Sequence, residues 1–229
     1  MKKNLIYLFS VLCMLSMMAS CSDEEGQNPD VPEVAGTWAV DMTNPLYANI
    51  DLGNPKLNAV IASMLKGLPA RIQEDFSDIT AEFGEDNKYS IRWTPKESGK
   101  EMFLPEFMAL DYVQEGETLF FLLDKPTVDF GMKILKTFGY DGAVLSQIKG
   151  LLLEKNDKYA LPVLMKENGG KRAFFCSKEI MTPLIAAYLQ LKMGKFPAEQ
   201  KPMMEALLKA LPHAKSLDMG FVMMRTTTK

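Results

Sequence analysis

The chain has 229 residues, with 26 Lys and Arg against 29 Asp and Glu, one His and three Cys. A net charge of −3 disfavours nonspecific nucleic-acid binding, one His excludes a His-rich metal site, and three Cys cannot supply a disulfide framework. With 47% hydrophobic residues, the chain can bury a sizeable core as one or two domains.

Met1-Lys2-Lys3 is a positively charged start, and Leu5 to Met18 carries no charge. That run falls short of the ~20 apolar residues a spanning helix needs and has the length of a signal-peptide core. It ends in Met18-Ala19-Ser20-Cys21, which resembles a bacterial lipobox with Met18 at the usual Leu position. The resemblance implies a signal peptide over residues 1–20, cleavage before Cys21, and lipid on that cysteine. The protein would then be held to a membrane. Residues 21–33 begin Cys21-Ser22-Asp23-Glu24-Glu25-Gly26, and their lack of apolar content predicts a flexible tether. The acidic run is similar to the export signal of surface lipoproteins of the Bacteroidota type, so outer-membrane attachment is expected, with either leaflet open. Cleavage leaves 24 basic residues against 29 acidic ones, a net charge of −5. Cys13 departs with the signal and Cys21 is acylated, so Cys176 stands alone.

Residues 34–229 read as one folded domain. Trp38, Val40 and Met42 share one face of a first strand, with Thr37 and Asp41 opposite. Asn54-Pro55 opens a helix whose stripe is Leu57, Val60, Ile61, Met64, Leu65 and Leu68, closed by Gly67 and Pro69. Four strands follow in a meander, around Ile79–Phe83, Tyr89–Trp93, Met108–Tyr112 and Leu119–Leu123, with Gly84–Asn87 and Glu115-Gly116 as turns. Residues 126–154 predict two short helices parted at Gly139–Gly142. A hairpin runs from Tyr159 to Met165 and back through Ala173–Cys176, with Pro162 marking an edge or a bulge. Two more helices carry Met181, Leu184, Ile185 and Tyr188, then Met204, Leu207, Leu208 and Leu211. A last strand places Leu217, Met219, Phe221 and Met223 on one face.

Eight strands, mostly neighbours in sequence, fit a mainly-β fold: an antiparallel up-and-down eight-stranded barrel with helical insertions. The alternative is an α+β open antiparallel sheet with helices on one face. Gly36-Thr37-Trp38 on the first strand and Arg225 near the end of the last are similar to the lipocalin and calycin signature. That lipocalin-like resemblance implies that the Arg225 guanidinium packs over Trp38 and closes one end of the barrel. It also implies a small apolar or amphipathic ligand, for which Met108, Tyr112, Phe121, Met219 and Met223 are candidate lining residues. Thirteen of the 17 Met lie after Cys21; flexible thioethers suit an adaptable pocket and equally fill a core. The other reading is a noncatalytic interaction module with an envelope protein partner and a barrel filled by its own side chains.

His213 follows Leu211-Pro212 at a helix end, and no nucleophile elbow accompanies it. Cys176 ends an apolar strand and reads as a core thiol. No metal-ligand spacing or phosphate-binding loop is present. The sequence thus predicts no enzyme, no cofactor and no nucleic-acid partner. Its expected contacts are a membrane through Cys21, a small apolar ligand or an envelope protein.

Overall fold

The computed structural model describes residues 33–103, 110–137, 140 and 142–226. The expected signal peptide, Cys21 as the expected lipidation site, the acidic run and Met108 lie outside these residues.

The chain folds into a closed, all-antiparallel, up-and-down barrel of eight staves. Strand β1 (Gly36–Val40) pairs with β3 (Phe76–Phe83), and the order continues through β4 (Lys88–Pro95), β6 (Leu110–Glu115), β7 (Thr118–Leu123), β9 (Lys158–Asn168) and β10 (Lys171–Cys176) to β11 (Ser216–Thr226). β11 returns to β1, with Trp38 directly opposite Arg225. The open-sheet alternative is thereby set aside. Three further strands extend staves: β2 (Leu46–Asp51) prolongs β1, β5 (Met102–Phe103) pairs with β4, and β8 (Leu153–Lys155) pairs with β9.

β1 and β2 are one bent stave. Both pair with the same edge of β11, and Asp41–Pro45 bulges out between them. The Asp41 N–H donates to the Val222 carbonyl at 2.8 Å, and the Val222 N–H donates to the Pro45 carbonyl at 3.1 Å, so the ladder resumes beyond the bulge. The expected strand through Met42 therefore stops at Val40, and Asp41 is 2% exposed rather than turned to solvent. Burying that carboxylate is tolerable because every direction around it is satisfied. Oδ1 accepts the Thr43 N–H and hydroxyl, and Oδ2 pairs with the Lys171 ammonium.

Helices occupy one end only. Every return at the other end is a short turn, at Gly84–Asn87, Gly116-Glu117 and Gly169-Gly170. At the helical end come α1 (Pro55–Leu65) and α2 (Leu68–Asp75) after β2, then α3 (Lys125–Thr137) and α4 (Gly142–Lys149) after β7, and α5 (Lys178–Lys192) and α6 (Lys201–Ala210) after β10. Asn54 caps α1, its side-chain oxygen accepting the Lys56 and Leu57 N–H groups. Pro69 does not end this helix region, contrary to the expectation. It sits in the first turn of α2, where a missing N–H costs nothing. α4 ends at Lys149, so Leu151 and Leu152 lie in the turn before β8 rather than on a helix.

Pro162 fits its stave without a break. The ladder of β10 on β9 ends at Phe175↔Leu164, so Pro162 lies beyond it while still opposite Phe120 of β7. Gly220 meets the opposite demand, because a Cβ there would lie 1.9 Å from the Phe174 carbonyl oxygen.

Inward residues alternate along each stave and merge with the apolar faces of the helices into one core. Leu57 and Ile61 of α1, Val128 and Leu135 of α3, Ile148 of α4, Leu184 of α5 and Leu207 of α6 all belong to it. The helices thus cap the barrel mouth, and the short-turn end is left to close itself.

The Asp41 carboxyl is held at about 2 rather than 3.8, chiefly by the Lys171 and Thr43 hydrogen bonds. Because the folded value is depressed, its stabilisation is complete above the unfolded value and is lost as pH falls through about 2. Chemical denaturation of Asp41→Asn should therefore show a stability deficit on the order of 2 kcal/mol at pH 6, shrinking between pH 4 and pH 2. A deficit independent of pH over that interval would exclude the ionised carboxylate as its source.

Candidate functional site: a sealed end and an apolar mouth

The short-turn end is closed by Trp38. Its indole N–H donates to the Val34 carbonyl at 2.8 Å, which folds residues 34–38 under the barrel. The Arg225 guanidinium carbon lies 5.8 Å from the Trp38 ring centroid, and Arg225 also donates to the Ala35 carbonyl. Gly36 permits this approach. Its φ is +124°, and a Cβ would lie 3.2 Å from Arg225 Nη2. The structure thus brings Gly36, Trp38 and Arg225 together.

A second arginine joins them. The Arg172 guanidinium carbon is 5.4 Å from the same indole, and its Nη2 donates to Glu33 at 2.6 Å and to Glu167 at 3.2 Å. Sequence reasoning missed Arg172, although it shares parity with Phe174 and Cys176 and so faces inward.

Above this plug the interior is filled by rings. Phe174 meets Trp38 edge-on at 5.3 Å between centroids and stacks on Phe83 at 5.9 Å. Tyr112 lies edge-on to Phe83 at 5.2 Å, and Phe121 packs on Tyr89 at 4.7 Å. The Tyr112 hydroxyl donates to the Gly84 carbonyl at 2.8 Å, and burial pushes its pKa up to about 12. Met219 and Met223 are buried in the same interior, Met223 beside the plug and Met219 opposite Cys176. Tyr112, Phe121, Met219 and Met223 are thus all buried in an interior crowded with rings and thioethers.

The apolar space lies higher, between the barrel rim and its helical cover. Leu123 and Leu161 form the floor, Thr127, Val128 and Met132 come from α3, and Ile148, Leu151 and Leu152 come from α4 and its exit. Ile180 and Leu184 of α5 complete the wall. The cavity measures about 20 Å³, room for roughly one water molecule. Its lining offers one hydroxyl and no charge, so it selects for apolar groups.

Reactive groups are placed elsewhere. Cys176 is buried, and burial pushes its thiol up to about 12, so it is not a nucleophile at neutral pH. His213 is exposed in the single turn Leu211–His213 after α6. Among the described residues no group of three or more His, Cys, Asp or Glu could hold a metal ion, and no helix is long and apolar enough to cross a membrane. No protein-family model, curated protein or solved structure matches the chain.

Arg225→Ala should cost about 0.5–2 kcal/mol of unfolding free energy, and a double-mutant cycle with Trp38→Leu should return coupling of that order. Additive effects in urea titrations would mean that the guanidinium and the indole merely adjoin.

Proposed function

We propose that the protein is a lipid-anchored, noncatalytic envelope lipoprotein of lipocalin-like type whose barrel mouth takes a small apolar or amphipathic molecule beneath the helical cover. The observation that carries this reading is the apolar pocket between Leu123 and Leu161 at the rim and the faces of α3, α4 and α5. There helices from two connections meet the barrel through apolar side chains, with Thr127 the one hydroxyl among the described lining residues. At about 20 Å³ the pocket is too small for a drug-sized guest, which needs ~300 Å³ or more. Binding therefore requires the cover to part, and the guest replaces contacts among the lining residues.

The filled lower barrel favours a second reading, the interaction module. In that case Phe83, Tyr89, Tyr112, Phe121 and Phe174 serve only to make a rigid stave cage, and function resides on its surface.

The anchor is tested through the cysteine to which lipid is attached. Wild type should incorporate labelled fatty acid, and Cys21→Ala should not; equal labelling of the two would remove the lipoprotein assignment and its outer-membrane address.

The pocket is tested by fluorescence titration of residues 31–229 with a fatty-acid or bile-salt probe, competed by unlabelled amphiphile. Saturable uptake is expected, driven by roughly 25 cal/mol per Å² of apolar surface removed from water, less the cost of association. Leu152→Trp, at a half-buried wall position, should abolish uptake while circular dichroism stays unchanged. Absence of saturable binding across a panel of amphiphiles, with the fold intact, would transfer the assignment to the interaction module.

A further inference from the structure

We infer that the helical end is a docking face for an anionic phospholipid surface. This goes beyond the pocket and does not depend on it.

Two independent features converge on that end. The first is exposed apolar surface. Among the described residues six large hydrophobic side chains are exposed, and five of them belong to the connections that leave from that end: Met102 and Phe103 on β5, Phe130 on α3, Leu153 on β8 and Met203 on α6. Phe103 is 60% exposed. Of the six, Met224 on β11 is the one outside those connections. Isolated apolar side chains on a surface need no explanation, but their concentration in the helical connections does.

The second is charge. Among the described residues, the connections at the helical end, within residues 52–75, 96–103, 124–157 and 177–215, hold sixteen Lys and Arg against eleven Asp and Glu. The other described residues hold seven against twelve. The described molecule is thus polarised, +5 in the helical connections and −5 elsewhere. The excess concentrates in residues 192–215, where Lys192, Lys195, Lys201, Lys209 and Lys215 face only Glu199 and Glu205. Among the described residues, Lys215 is the one of these lysines that reaches a carboxylate, Asp51 at 3.6 Å. Lysines left unneutralised beside Met203 and the half-buried Phe196 make the pairing a headgroup layer rewards. Ammonium groups meet lipid phosphates while rings and thioethers enter the acyl boundary.

The occupant follows from charge complementarity and from the tether. A neutral apolar partner leaves the lysines unmatched, and an acidic soluble protein leaves the scattered apolar tips in water; an anionic bilayer satisfies both. Residues 21–33 join the barrel at its sealed end, and thirteen residues span at most about 45 Å. That reach exceeds the roughly 26 Å length of an eight-residue stave, so a chain anchored through Cys21 can still lay its far end on the same bilayer.

The described barrel, with its first and last strands paired, lies wholly within residues 31–229, so this soluble form tests docking without the lipid. It should co-sediment with vesicles of phosphatidylcholine and phosphatidylglycerol, and not with phosphatidylcholine alone, and added salt should release it. Combining Lys195→Glu, Lys201→Glu and Lys209→Glu should weaken binding at least about tenfold. Gln at the same positions should give a smaller loss in the same direction, and Lys166→Glu, on the exposed sealed half, should give none. Orientation is read by tryptophan. Trp93 is half-buried at the helical end of β4 opposite Met102, whereas Trp38 is buried at the sealed end. Brominated lipid should quench wild-type fluorescence, and Trp93→Phe should remove the quenching. Equal affinity for both vesicle compositions, equal loss on Lys166→Glu, or quenching that survives Trp93→Phe would overturn the inference. Failure to bind anionic vesicles at low salt would overturn it too and leave the face to a protein partner. Amphiphile uptake is measured without vesicles, so neither result decides the other.

Discussion

The first stave must meet the last across nearly the whole length of the domain, and every other feature is arranged around that junction. β1 reaches β11 only because the chain bends at Asp41–Pro45, and the bend survives only because Asp41 is fully partnered. An unpartnered carboxylate at 2% exposure would carry a desolvation penalty of several kcal/mol. Lys171 removes it from the turn after β9, so a third stave is drawn into the closure. Trp38 then lies at the level where Arg172 and Arg225 converge on one indole. Two like charges on one ring would repel; Glu33 and Glu167 on Arg172, and the Ala35 carbonyl on Arg225, offset that repulsion.

Much of this was readable in the residues. The alternation of Ile79, Ala81 and Phe83 specified a stave because only one parity is apolar, whereas Leu119–Leu123 is a continuous apolar run bounded by the Glu115-Gly116 turn. The Gly36-Thr37-Trp38 triplet and Arg225 named the junction, and the register places Trp38 against Arg225. What escaped did so for physical reasons. Leu46, Ala48 and Ile50 alternate with Tyr47, Asn49 and Asp51 as a strand should, yet Asn44-Pro45 before them reads as a turn. Nothing local says that β2 resumes the stave β1 left. Arg172 follows Lys171 behind a Gly-Gly turn, where a basic pair reads as solvated; only the parity of Phe174 and Cys176 turns it inward. The pocket was out of reach, because its walls come from three helices in two connections whose apolar stripes each look like ordinary packing.

Segregation of the helices separates two tasks that a symmetrical barrel would mix. Short turns at Gly84–Asn87, Gly116-Glu117 and Gly169-Gly170 leave no chain to cover the sealed end, so closure there falls to side chains. Rings with few torsions fill that half at low entropic cost and with directional contacts. The long connections put helices, which pack by sliding stripes rather than by a hydrogen-bonded ladder, over the other end. A rigid floor beneath a cover free of inter-strand hydrogen bonds is the arrangement that the proposed binding at the barrel mouth would use.

The cover has a built-in point of weakness where the pocket needs one. Pro183 lies inside α5 and has no N–H to give the Glu179 carbonyl, so the first turn of that helix is one hydrogen bond short. Ile180 and Leu184, the two α5 residues on the pocket wall, flank that gap. Ser177 at the helix start makes no side-chain cap to the backbone and spends its hydroxyl on Glu179 instead. The Ile180 and Met181 N–H groups still donate to the Ser177 carbonyl, at 3.0 and 2.9 Å, and the burial of Ile180, Met181 and Leu184 adds to what holds the turn. Apolar contacts can be exchanged for equivalent contacts with a guest at little net cost, whereas a ladder hydrogen bond cannot. On the proposed function, opening at this turn would keep the stave ladder below it intact, and a guest would restore the apolar burial that the lining residues give up.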